Sequence, residues 1–230
     1  MEGFCGRNLL LSRSKSRLAI GMHFKQSNVT ITRMGAELWY YEAPWDDDPA
    51  RALAALQTRI FVENYNLAEV LRASLADARE SVSYTQAERD QYEKLDKNKA
   101  KVRLLERLLD HYKDEVQLLE TLCRQPIPKD PIEQLQILRR VEATGSAEIG
   151  NILDVRGVSD RRDTHVAQRL TEDQMIRLVE TTRPTTAQSH AAVAAIHSDL
   201  NRGESICFPM FADNDKTKPV GWFFVGNTVD

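Results

Sequence analysis

Five histidines and three cysteines are the residues of this chain best suited to metal or nucleophilic chemistry, and their spacing decides how far that goes. His190 and His197 stand seven apart, two turns along one face of a predicted helix. Metal sites on a helix use i, i+4 spacing or closer, and no Cys or carboxylate completes a ligand set. The pair is therefore read as surface histidines, with no metal and no cofactor. Cys5, Cys123 and Cys207 are odd in number and widely spaced. They fit neither a disulfide framework nor a zinc pattern, which favours the cytoplasm or another reducing compartment. Cys123 falls where a small buried apolar residue is expected, and nothing near it in sequence suggests a base. Gly145-Ser-Ala-Glu148 and Val225-Gly-Asn227 lack the spacing of a phosphate-cradling loop. Arg156-Gly-Val-Ser-Asp-Arg-Arg-Asp163 reads as a mobile polar loop, and Asp160-Arg-Arg-Asp163 within it as solvated before it reads as a binding loop. With no catalytic constellation, the chain is read as not an enzyme.

Charge supplies a second kind of candidate. From Gly3 to Ala36 there is no acidic residue, while Arg7, Arg13, Lys15, Arg17, Lys25 and Arg33 are basic. Such a segment suits a solvated face, an arm that contacts polyanions, or an Arg- and Ser-rich targeting presequence. Glu2 weighs against the last. The sign then reverses at Asp46-Asp47-Asp48, and the whole chain carries a net charge of -3. No global pull toward nucleic acid or membrane follows. No apolar run approaches the roughly 20 residues that span a bilayer.

The elements that must position these residues are mostly helical. Between Pro49 and Pro126 there are 76 residues without a Pro or Gly. Leu53, Leu56, Ile60, Leu67, Leu71, Leu75, Ala78 and Val82 mark one apolar side of the first half. In the second half Leu95, Val102, Leu105, Leu109, Tyr112, Val116, Leu119 and Cys123 form a heptad. Such a stripe must be buried against another helix. Leu108 and Leu122 at g, with Leu104 and Leu118 at c, add a second stripe that a two-stranded coil would leave in water. A bundle of three or more helices, from one chain or several, is favoured. Residues 50–125 form either one long helix or a hairpin turning near Asp96 to Asn98.

Shorter signals flank this region. Residues 18–24, 28–33 and 37–42 read as strands of a meander. Asp48-Pro49 and Asp130-Pro131 are helix starts, and Thr171-Glu-Asp-Gln174 and Thr185-Thr-Ala-Gln188 are capping boxes. Residues 206–211 and 220–225 form an expected hairpin, which the economical arrangement pairs with the first strands. The expected fold is mainly α with small β elements, an α+β chain built as a helical bundle or coiled coil with short N- and C-terminal strands. Its expected parts are a β meander with a basic segment (1–47), a long helical region (48–125) and a smaller helical domain ending in a β-hairpin (126–230).

The function this suggests is a non-enzymatic assembly or adaptor protein, a scaffold that oligomerises or binds protein partners through Leu95, Val102, Leu105, Leu109, Tyr112, Val116 and Leu119. The alternative is a ribonucleoprotein or viral structural protein whose basic N-terminal segment contacts nucleic acid. No membrane partner is expected.

Overall fold

The structure is a computed structural model that describes residues 38–94, 99–144 and 151–228. The strand expected over 37–42 is present as β1 (Leu38–Pro44), which runs two residues further; the strands expected over 18–24 and 28–33 lie outside the described residues. The helices are α1 (Pro49–Asn64), α2 (Leu67–Lys94), α3 (Lys99–Arg124) and α4 (Pro131–Glu142). A 3-10 turn (Ile152–Asp154) leads to β2 (Val158–Ser159) and β3 (Ala167–Arg169). Then come α5 (Glu172–Val179), α6 (Thr186–Asp199), β4 (Ser205–Phe211) and β5 (Pro219–Asn227).

Local chemistry sets most helix starts. The Asp48 and Asp130 carboxylates accept from the backbone N–H groups of Ala50 and Ile132, with a proline opening each helix. Thr171 and Thr185 close reciprocal capping boxes with Gln174 and Gln188, as their spacing predicts. One break has no Gly or Pro to announce it. Tyr65 turns extended, and the Asn66 side chain accepts from the Ala68 N–H at 3.1 Å, ending α1 and opening α2.

The bundle with appended strands is corrected by the sheet. Five strands run in the order β1-β5-β4-β3-β2, antiparallel across β1, β5 and β4 and parallel across β4, β3 and β2. The fold is α+β with a mixed sheet covered on both faces. The physical reason lies in the chain between α4 and α5, where β2 and β3 are too short to show strand periodicity. They nevertheless extend the terminal strands into a sheet wide enough to need two covers. The parallel link from β3 to β4 requires a crossover, and α5 and α6 provide it.

Alternation along β5 divides the interior. Trp222 and Phe224 face α1, α2, α4 and the base of α3, where they join Leu56, Phe61, Leu71, Leu119 and Leu138. Phe223 and Val225 face α5 and α6 with Phe208, Met175 and Ile196. The first of these cores draws on residues from 39 to 224. At Gly226 an added Cβ would lie 2.7 Å from the Ser205 Cβ and meet the Trp39 ring, so this close approach requires glycine.

Because β5 is the strand that joins β1 to β4, truncation after Asp215 should leave both without their shared neighbour. We expect that chain to lose cooperative thermal unfolding and bind a dye for exposed apolar surface. A truncated protein with a sharp wild-type melting transition would contradict this topology.

Candidate functional site

α2 and α3 fold back on each other as a hairpin. Arg79 pairs with Glu120 at 2.7 Å near its base, and Glu88 pairs with Lys101 at 2.8 Å toward its tip. The Lys101 ammonium also lies 3.8 Å from the centre of the Tyr92 ring. This is the hairpin reading of residues 50–125, with a further break at Asn66. Leu67, Val70, Leu71 and Ala78 of α2 and Val116, Leu119 and Leu122 of α3 join the body's core. Among the described residues, none of α2 beyond Ala78 or of α3 before Val116 does so. That distal arm continues for 16 residues of α2, about 24 Å at 1.5 Å per residue.

The predicted heptad lines the inside of this hairpin. Leu105, Leu109 and Leu119 are buried, and Val102, Tyr112 and Val116 are half-buried, all within one chain. Leu95 lies outside the described residues. Cys123, expected in the seam, is exposed. The buried stripe shifts toward g along α3, taking in Glu115 and Leu122, as the helix passes from the hairpin seam to the body, whose core Leu122 joins. Burial pushes the Glu115 carboxyl up, opposed by a hydrogen bond with Thr144 and by the nearby His111. Thr144 is the second residue past α4, so Glu115 ties the hairpin to the end of that helix. On the outside, Leu104 is 56% exposed and Tyr84 62% exposed.

A second cluster lies where α1, α4 and the 3-10 turn meet. Gln57 Nε2 donates to the carbonyls of Ile152 and Val155 at 2.8 and 2.6 Å. Its Oε1 accepts from Arg139, which also donates to the carbonyls of Leu153 and Val155. Asn151 donates to the Tyr65 hydroxyl at 2.7 Å and caps the turn through the Leu153 N–H. The Glu142 carboxyl is pushed up to about 9, first by burial and then by its hydrogen bond with Asp154 and that group's charge. Burial also raises the Tyr41 and Tyr65 phenols, Tyr65 to about 12, and lowers the Arg139 guanidinium. The cluster can therefore hold a proton on a carboxyl at neutral pH. Spacing did not single it out, although Gln57 on the apolar side of α1 is a polar residue on a buried face.

The other candidates remain apart. His190 contacts the Glu42 carboxylate at 2.6 Å, and His197 is in the last turn of α6. Among the described residues no group of three His, Cys, Asp or Glu is placed to hold a metal ion. Burial raises the Cys207 thiol to about 12, which makes it a poor nucleophile. In the charged loop Arg162 pairs with Asp199 at 2.6 Å, and Asp160 pairs with Arg169 at 2.7 Å. Arg7, Arg13, Lys15, Arg17, Lys25 and Arg33 lie outside the described residues. No described helix is long and apolar enough to cross a membrane.

Replacing Gln57 with Leu should leave the Ile152 carbonyl with only the Val155 N–H as donor and take from Arg139 its amide acceptor, and cost about 1 to 3 kcal/mol. Chemical denaturation of the variant measures this; wild-type stability would show that the clamp carries no weight. Comparisons with family models, curated proteins and solved structures found no match for this chain.

Proposed function

We propose that this chain is a non-enzymatic assembly or adaptor protein that associates with further copies of itself or with protein partners through the α2–α3 hairpin. The observation that carries the reading is a closed inner seam beside exposed Leu104 and Tyr84 on an arm outside the body's core. Large apolar residues on such an arm gain from being covered, and aromatic residues are favoured at interfaces. The buried seam residues hold the arm in shape, while the outer residues are the ones a partner can reach.

Leu104→Asp combined with Tyr84→Asp should change stability by no more than about 1 kcal/mol, because both sites are exposed. Light scattering of the wild type should give a mass above the 26.2 kDa monomer that rises with concentration. The double variant should be monomeric. A monomeric wild type at all concentrations, or a variant with wild-type association, would remove self-association through this surface.

A second reading rests on the acid-free segment from Gly3 to Ala36. An arm with six basic residues suits a polyanion, and its binding would weaken steeply with salt as counterions are released. Replacing Arg13, Lys15 and Arg17 with Ala should lower retention on heparin and on single-stranded RNA and flatten the salt dependence. No retention of the wild type at about 50 mM salt would end this reading.

A further inference from the structure

The outside of α2 carries a stripe of its own. Glu80, Tyr84, Ala87, Gln91 and Lys94 follow one another by four, three, four and three residues, and all five are exposed. Ala87 stands two residues from buried Thr85, about 200° round the helix, so the stripe lies opposite the buried side of α2. Between its two ends the stripe carries no charge. The exposed outer positions of α3 differ, since Arg103, Arg107, Asp110 and Asp114 hold that side of the hairpin in water.

The charges at the ends of the stripe are the ones the hairpin leaves over. Seven residues of α2 from Arg79 to Lys94 are charged. Five of them are engaged within the hairpin: Arg79 with Glu120, Glu88 with Lys101, and Arg89 with Asp90 and Glu93. Glu80 and Lys94 form no ion pair among the described residues, and they are opposite in sign. Each stands seven residues from Ala87, about 10 Å along the helix. We propose that two copies of this chain pair antiparallel along this stripe, about a twofold axis at Ala87 that sets Glu80 of each copy against the partner's Lys94. This rests on the reading that the hairpin is the associating element, and it names the partner as a second copy and the contact as α2.

Charge decides the direction of the pair. A parallel pair would set Glu80 against a second Glu80 and Lys94 against a second Lys94, whereas the antiparallel pair makes an attractive contact at both ends. Exposed ion pairs add little strength, but like charges placed face to face suppress the wrong arrangement. Ala87 at the axis carries only a methyl group, which lets the two helices approach closely. Tyr84, one turn from the axis, then falls beside the partner's Gln91. Its ring is covered, and the Gln91 amide is placed to meet the phenol. No residue of α2 beyond Ala78 joins the body's core, so a second arm can lie along this face without disturbing it.

Light scattering of the full chain over a concentration series tests the pair through exchanged charges. Glu80→Lys sets two lysines against each other at both ends of the contact, and Lys94→Glu sets two glutamates; each should weaken dimerisation about tenfold. The chain carrying both changes restores opposite charges and should return to within about threefold of the wild type. Ala87→Glu places two carboxylates at the axis and should be monomeric where the wild type is a dimer. All three positions are exposed, so the variants should keep the wild-type melting transition. A double exchange no better than the single ones, or wild-type dimerisation of Ala87→Glu, would overturn the antiparallel pair while leaving association through the hairpin standing. A wild type that is monomeric at every concentration would remove the pair and self-association together.

Discussion

A backbone carbonyl that leaves water must find a donor, and between Asn151 and Val155 the chain passes through the core with no strand or α-helix to supply one. Ile152, Leu153 and Val155 are buried, and their carbonyls are met by two side chains, Gln57 from α1 and Arg139 from α4. This clamp fixes α1, α4 and the entry to β2 relative to one another. The parallel strands follow from that entry, and the base of the hairpin packs on the same core. A polar side chain in the apolar stripe of α1 is thus a requirement of the fold rather than a defect in its pattern.

The hairpin extends this logic outward. Its base shares the body's core, whereas its distal arm relies on Leu105 and Leu109 and on ion pairs such as Glu88 with Lys101. Pairs of that kind, still partly open to water, contribute modestly on their own, so the apolar layers set most of the arm's stability. An arm closed by its own seam can present outer residues without unfolding. That property makes it suited to association.

Helix ends in this chain are legible wherever local chemistry writes them. Asp48, Asp130, Thr171 and Thr185 each cap a helix through bonds spanning two or three residues. The break at Tyr65-Asn66 is harder to see, because the asparagine cap competes with an apolar stripe that runs through it. Strand pairing depends on distance along the chain: Leu38 opposes Asn227, a contact no local pattern encodes. β2 and β3 are two and three residues long and carry no alternation to read. Of the candidate surfaces, the seam is visible as a heptad, but which stripe faces out depends on the shift that buries Leu122 and exposes Cys123. The polar cluster joins α1 and α4 to a turn beyond them through tertiary packing, so spacing alone offers only the Asn151 and Asp154 capping box.

The central claim is that the hairpin's inner seam serves the single chain and its outer face serves association. Hydrogen exchange of the wild-type protein across about a hundredfold range of concentration tests it most directly. The account predicts that amides around Tyr84 and Leu104 gain protection as concentration rises, while those of β4 and β5 stay constant. Protection independent of concentration along the whole of α2 and α3 would contradict self-association through that face, and a gain confined to the sheet would place the interface elsewhere.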